Sequence, residues 1–232
     1  MHRFYCAGSS ITGSDHIHIK TVLRLKSGDQ ISLFDGESEF LARIVSVGAS
    51  ATEVEILERL PGSTEPQCRI TLYQAAPKAD KLELIVQKCT EVGFCALVPF
   101  QSERCVGKPG SHKFDRLGKI AYEATKQSGR IAIPRIEPML SFNEMLSRIG
   151  RHELSLCAWE GERQATLHTF LRPGLRDVAL IVGSEGGFAD GEASAIRAAG
   201  AATVTLGKRI LRTETAGIAL CAIVLHETEL TI

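Results

Sequence analysis

The stretch Ala179-Leu-Ile-Val-Gly183-Ser-Glu-Gly-Gly187-Phe188 decides the fold of this chain. Val178 to Val182 is apolar, has the length of a buried strand, and runs into a loop holding Gly183, Gly186 and Gly187, where backbone can approach a ligand with no Cβ in the way. After a helix-like run, Ala202 to Leu206 repeats the arrangement. Its loop, Gly207 to Glu214, is polar and charged, and Ala216 to Leu225 is apolar enough for a buried helix. Two neighbouring strands that end in such loops predict a parallel α/β sheet with a crevice at its carboxyl edge, the usual ligand position in that architecture.

Two common phosphate motifs do not fit this crevice. A dinucleotide site needs Gly-x-Gly-x-x-Gly, and Gly183-Ser-Glu-Gly186-Gly187 has other spacing. A Walker loop needs Gly-Lys-Ser or Gly-Lys-Thr, and Gly207-Lys208 is followed by Arg209. The plain alternative is that the glycines make tight turns and Glu185 caps the next helix.

Working outward, strands alternate with helices from Cys68 onward, the texture of a mostly parallel sheet. Arg69 to Ala75, Cys95 to Phe100 and Leu154 to Trp159 read as strands; Lys81 to Glu91, Phe114 to Gln127 and Phe142 to Ile149 read as helices. Before them, Pro61-Gly-Ser-Thr-Glu-Pro66 is the best domain boundary in the chain. The segment ahead of it is different. Arg3 to Cys6 forms a short strand, Ser14 or Asp15 caps a helix that turns Ile17, Ile19, Val22, Leu23 and Leu25 inward, and the alternating runs Gln30 to Phe34, Glu39 to Val47 and Thr52 to Leu57 form antiparallel strands. Asp35-Gly36 is a hairpin signal between the first two of those runs. A small β-barrel follows. His16 and His18, two apart on a helix, are taken as surface residues rather than ligands.

Lysine plus arginine equal aspartate plus glutamate at 27 each, so the net charge gives no hint of nucleic acid and any such contact needs a local patch. The strongest candidate lies between Arg104 and Arg135, where eight basic residues (Arg104, Lys108, Lys113, Arg116, Lys119, Lys126, Arg130, Arg135) face two acidic ones, Asp115 and Glu123. A solvated helix face or a phosphate-binding surface would both read this way. The amino terminus has no apolar leader and no apolar run reaches membrane-span length, so a soluble, unsecreted, cytoplasmic protein is expected. Seven cysteines with no Cys-x-x-Cys pair read as reduced thiols, with no metal assigned.

The two glycine-containing segments resemble the cofactor motifs of the SPOUT methyltransferases, and more closely those of the family that methylates N3 of a uridine in 16S ribosomal RNA. Gly183, Glu185, Gly186 and Gly187 match its Gly-Pro-Glu-Gly-Gly, with Ser184 in place of proline. Leu206, Gly207, Arg209 to Arg212 and Glu214 to Ala216 match its Leu-Gly-x-Arg-Ile-Leu-Arg-x-Glu-Thr-Ala. Ser102-Glu-Arg104 and Gln127-Ser-Gly-Arg130 match two shorter family patterns, with Lys126 where an acid is usual and Glu123 one helical turn earlier. The resemblance covers essentially the whole chain. It implies a PUA-like RNA-binding barrel over residues 1–66, a SPOUT domain with a C-terminal trefoil knot over 67–232, S-adenosylmethionine as cofactor, small-subunit ribosomal RNA as partner, and a homodimer.

On that resemblance the cofactor pocket is expected from Val182, Gly183, Glu185, Gly186, Gly187, Leu206, Gly207, Ile210, Leu211, Arg212, Thr213, Glu214, Thr215 and Ala216, with the side chains of Leu206, Ile210 and Leu211 contributing apolar surface. Uracil N3 carries a proton, so it needs a base or cations that stabilise the anion. Arg104, Arg130 and Arg212 are candidates for holding the base and its phosphate, and Glu185 or Glu214 for the base or for the cofactor's amino group, with Glu123 a further catalytic candidate. RNA contacts are expected from Arg3, Arg24, Lys26, Arg104, Lys108, Lys126 and Arg130. The competing functions are methylation of another RNA or of a ribose 2′-hydroxyl, and a non-catalytic RNA-binding assembly factor.

Overall fold

Apolar residues alternate along the early strands because one face of their sheet is buried. The structure, a computed structural model, describes residues 1–6, 8–78, 80–106 and 111–229. It divides into two units, Met1–Glu65 with Thr125–Ile133, and Pro66–Ala124 with Pro134–Ile232.

The first unit contains β1 (Arg3–Tyr5), β2 (Ser10–Thr12), α1 (Gly13–Ile17), a π-helical turn (His18–Leu23), β3 (Gln30–Phe34), β4 (Glu39–Val47) and β5 (Ala51–Arg59). The sheet order is β1-β3-β4-β5-β2, antiparallel except for β1 on β3. Phe4, Ile11, Ile19, Ile31, Leu33, Ala42, Ile44 and Val54 form its core. Gly36, at φ 102°, makes the β3–β4 hairpin as Asp35-Gly36 predicts.

The helical region departs from expectation. Ile17 and Val22 are 58% and 64% exposed rather than inward. The cause is the wider π turn, which breaks the 3.6-residue spacing on which the inward face was drawn. Neither Ser14 nor Asp15 caps the helix, because Thr12 occupies the cap position. His16 is buried, with Nδ1 2.9 Å from Thr52 Oγ1, while His18 is exposed as expected.

The segment Thr125–Ile133 belongs to this unit through a polar network. Arg3 donates to the carbonyls of Lys126 (3.3 Å) and Arg130 (3.2 Å), and Lys126 Nζ lies 2.9 Å from Asp15 Oδ1. Arg130 pairs with Glu65 at 2.6 Å, and the same carboxylate accepts the backbone N–H groups of Ile131 and Ala132. Burial raises the pKa of Glu65, but Arg130 and those N–H donors outweigh it and hold the group below its ordinary range.

The second unit contains β6 (Arg69–Ala75), α2 (Lys81–Val92), β7 (Ala96–Phe100), most of α3 (Ser111–Ser128), β8 (Arg135–Ile136), α4 (Phe142–Ile149), β9 (Leu154–Ala158), a 3-10 turn (Leu167–Thr169), β10 (Asp177–Val182), α5 (Asp190–Ala198), β11 (Ala202–Val204) and α6 (Thr213–Glu229). Its six strands are all parallel, in the order β11-β9-β10-β6-β7-β8. Side chains alternate between two cores. Ile70, Leu72, Val178 and Leu180 pack with Leu82 and Val86 of α2 and with Leu220 and Val224 of α6. Ala75, Ala179 and Ile181 pack on the other face with Met145 and Ile149 of α4 and Ile196 of α5. A strand buried on both faces has no polar alternation, which is why Val178 to Val182 is uniformly apolar. Each fully buried leucine or isoleucine contributes roughly 1.5–3 kcal/mol.

Local signals set the helix ends. Ser141 and Glu144 form a reciprocal capping box at the start of α4. Gly93, at φ 125°, ends α2, where a Cβ would lie 2.6 Å from Pro66. One expectation is corrected: β10 and β11 are not neighbours, because β9 lies between them. Strands β2 and β8 are too short to leave a periodic signal.

Candidate functional site

With β9 between β10 and β11, the carboxyl ends of three strands open into one cavity of about 550 Å³. That volume lies within the range of small-molecule sites, roughly 300–1,000 Å³. Each strand contributes a loop. β10 contributes Gly183 to Phe188, β11 contributes Thr205 to Thr213, and β9 contributes Trp159, Glu160 and Arg163. All the lining residues belong to the second unit.

The glycine loop is held by main-chain contacts. Gly187, at φ 65°, donates its N–H to Ser184 O at 3.0 Å. A Cβ on Gly183 would sit 3.2 Å from Gly187 backbone, one on Gly186 2.8 Å from Arg104 Cβ, and one on Gly187 would overlap the Glu160 carboxylate. Three glycines are therefore needed for three different close approaches. Ser184 Oγ donates to Arg104 O at 3.3 Å, so the serine found in place of proline adds a hydrogen bond to the turn. Thr213 Oγ1 donates to Gly183 O at 2.6 Å and receives a 2.9 Å bond from Gln74 Nε2, which ties the first loop to the start of α6.

Lys81, in the first turn of α2, joins the two motifs. Its Nζ is 3.0 Å from Glu185 Oε1 and 3.2 Å from Glu214 Oε2. The hydrogen bond to Glu185 raises the Lys81 pKa most, burial opposes it, and Glu214 adds to the rise. Burial pushes Glu185 up, but its own backbone N–H, Lys81 and the backbone N–H of Lys78 outweigh this and leave it lowered. A carboxylate held below its ordinary range is a weak proton acceptor, so this arrangement suits an anchor better than a general base.

The β9 loop is pinned by Glu162. Its carboxylate accepts the backbone N–H groups of Gln164 and Ala165 and the Thr203 hydroxyl, and these bonds hold its pKa down at about 2. Arg197 lies over the Trp159 ring at 5.2 Å, and a Cβ on Gly161 would lie 2.4 Å from the same ring.

Of the expected cofactor residues, Val182, Gly183, Glu185, Gly186, Gly187, Leu206, Gly207, Ile210, Leu211, Arg212, Thr213 and Ala216 line the cavity. Glu214 and Thr215 do not, although Glu214 meets Lys81. Leu206 and Leu211 also pack against the core, whereas Ile210 is 91% exposed. The expected catalytic set is dispersed. Arg212 lines the cavity, whereas Arg104 donates to the carbonyls of Gly186 (3.0 Å) and Phe188 (3.4 Å) and so buttresses the loop. Glu123 is exposed on α3 and does not line the cavity.

Arg130 is 4% exposed and committed to Glu65; Lys126 and Arg3 are likewise bound, to Asp15 and Glu39. These three belong to the first unit's internal network, so their charge is not free on a surface. Arg24 and Lys26 are exposed in that unit, and Lys108 lies outside the described residues. Sequence reasoning missed Lys81, Gln74, Trp159, Glu160 and Arg163. The signal available for the last three was a strand ending at a Trp-Glu-Gly turn next in line before the glycine motif.

The cavity fits S-adenosylmethionine by its chemistry. Trp159, Val182, Leu206, Leu211 and Ala216 offer apolar surface for a purine, the glycine loop admits close approach, and the Glu160 carboxylate offers a partner for an ammonium group.

Comparison with known proteins agrees with this geometry. The RNA methyltransferase domain model matches residues 64–225, and the RNA methyltransferase PUA domain model matches residues 11–57. A Bacillus subtilis protein named ribosomal RNA small subunit methyltransferase E is 33% identical over 95% of this chain and 91% of its own length. A Rickettsia conorii protein of the same name is 33% identical over 91% and 87%. The crystal structure of the Neisseria gonorrhoeae protein of that name, bound to S-adenosyl methionine, superposes with a TM-score of 0.87 at 31% identity over 96% of both chains. This chain belongs to the RNA methyltransferase family that contains the ribosomal RNA small subunit methyltransferase E proteins.

Proposed function

We propose that this protein methylates small-subunit ribosomal RNA, using S-adenosylmethionine, at N3 of one uridine. The observation that carries this reading is the three-loop cavity, in which Lys81 ties the two motifs together through Glu185 and Glu214. The glycine loop, Leu206, Leu211 and Thr213 would hold the cofactor, and Glu160, which lines the same cavity, would accept from its amino group. When bound, that cofactor supplies an electrophilic methyl group.

The protein's remaining task is to present uracil N3 without its proton, which would pass to solvent while the anion is held. Arg212, whose guanidinium fork stays charged, can accommodate negative charge spread over the uracil carbonyls. The target base must be unpaired or extruded, since N3 is hidden by pairing. In this reading residues 1–66 recognise RNA, residues 67–232 bind the cofactor and carry the chemistry, the C-terminal part threads a trefoil knot, and the protein works as a cytoplasmic homodimer. These last features rest on the resemblance of the two motifs.

The test is transfer of labelled methyl from S-adenosylmethionine to small ribosomal subunits lacking their modifications, followed by nucleoside analysis. Labelled 3-methyluridine at a single position is the expected product. A 2′-O-methylated nucleoside would overturn the N3 assignment, and cofactor binding with no labelled RNA would overturn the acceptor.

A further inference from the structure

The mouth of the cavity gathers cations that have no partner among the described residues. Several cations elsewhere are internally committed: Arg3 to Glu39, Arg116 to Glu83, Lys126 to Asp15, Arg130 to Glu65 and Arg172 to Glu153. At the mouth, Arg163, Lys208, Arg209 and Arg212 are all exposed, and among the described residues none of their side chains has an ion pair or hydrogen bond. The carboxylates nearby are Glu160, which is exposed, Glu185 and Glu214, both bound by Lys81, and Glu162, which is taken up by backbone N–H groups and the Thr203 hydroxyl. A chain with no net charge thus sets four uncommitted cations around one opening.

Ile210 stands inside that collar, 91% exposed, with Lys208 and Arg209 on one side of it in sequence and Arg212 on the other. A lone exposed apolar side chain is ordinary. One that lines the same cavity as four uncommitted cations has the composition of a nucleic-acid contact, in which cations take phosphates and an apolar side chain lies against a base face or fills the gap an extruded base leaves. The loop's ends are fixed, by Thr205 N–H on Ala165 O (2.9 Å) and by Thr213 on Gly183, so the collar is presented on a defined base.

We propose that Arg163, Lys208, Arg209, Arg212 and Ile210 form the docking surface for an unpaired RNA strand, with Ile210 packing against a base and the four cations tracking the backbone. This rests on the reading that the cavity serves RNA methylation, and it moves the main RNA contact away from the basic run between Arg104 and Arg135. Paired RNA is a poor fit, because stacking within a duplex covers the base faces that an aliphatic side chain would pack against, whereas unpaired bases can be splayed out.

The experiment measures binding of a uridine homopolymer, and of a duplex of the same length, over a salt series. It compares the wild type, the Lys208→Gln/Arg209→Gln double variant and Ile210→Ser, with S-adenosylmethionine affinity measured in parallel. All the changed side chains are exposed, and circular dichroism checks that the fold is kept. For single strands the slope of log affinity against log salt should flatten by about 0.7 per cation removed, roughly 1.4 for the double variant. Ile210→Ser should keep the wild-type slope and bind the homopolymer roughly tenfold more weakly, the scale of losing part of a buried isoleucine.

Unchanged slope and affinity in both variants would overturn the docking surface. So would an Ile210→Ser that weakens the cofactor alone, which would make Ile210 a cofactor contact, or variants that shift only the sedimentation state, which would make the loop an interface with a second copy of the chain. A wild type that binds no S-adenosylmethionine would overturn the cofactor reading, while the homopolymer titration still decides the collar independently.

Discussion

Lys81 and Glu162 are single residues that hold loops which would otherwise be independent. Lys81 is 28% exposed at its side chain, so its bridge is screened and is worth less than a buried ion pair. Replacing it with methionine leaves Glu214, 12% exposed, without its cation. We expect Lys81→Met to lower stability by about 2 kcal/mol, read from urea unfolding, and to weaken S-adenosylmethionine binding. An unchanged urea midpoint would refute the bridge. Glu162 gives a pH signature. Its folded pKa, about 2, is depressed relative to an ordinary glutamate near ~4.3, so its stabilisation is present above the ordinary value and lost as pH falls toward about 2. Glu162→Gln should therefore lose stability at neutral pH and show a shallower decline than wild type between about pH 4 and 2, followed by thermal unfolding. The two motif loops were readable in the sequence because glycine and the Arg-Ile-Leu-Arg run are local identities. Lys81 was not, because only the packing of α2 brings it to the cavity, and Glu160 was signalled only by the strand end that precedes it.

Loops are set by backbone geometry, and three glycines separate conformation from crowding. Gly187 has φ 65° and no room for a Cβ; Gly186 lacks positive φ but crowds Arg104; Gly129 has φ 80° with nothing within 4 Å. Gly129→Ala should cost only the left-handed penalty, about 1 kcal/mol, with cofactor affinity unchanged. Gly187→Ala adds displacement of Glu160, and we expect more than tenfold weaker S-adenosylmethionine binding by calorimetry. Equal behaviour of the two variants would refute the close approach. Most other elements were legible because their period was long enough to register: α4 was expected over its observed limits, and β6, β10 and α2 within a residue. The inward face assigned to Ile17 and Val22 failed because a π turn changes the period without changing composition.

The whole molecule is neutral, and its most consequential long-range feature is also the one the sequence hid. The segment Thr125–Ile133 completes a unit that otherwise ends at Glu65, and it does so through ion pairs spanning more than a hundred residues to Asp15 and more than sixty to Glu65. No local pattern announces such a pairing; the basic run reads equally well as a solvated face. A fragment of residues 1–66 would lack Lys126 and Arg130, leaving Asp15, 5% exposed, and Glu65 without those cations, and Arg3 without its carbonyl acceptors. Removing one partner of a buried pair costs about 3–5 kcal/mol, and domain stabilities are only about 5–15. The isolated fragment should accordingly be largely unfolded in water by circular dichroism and hydrogen exchange. Because the fault is uncompensated charge rather than missing core, Asp15→Asn with Glu65→Gln should recover part of its structure. A wild-type fragment with the urea midpoint of the intact first unit would show that the unit does not need its distant segment.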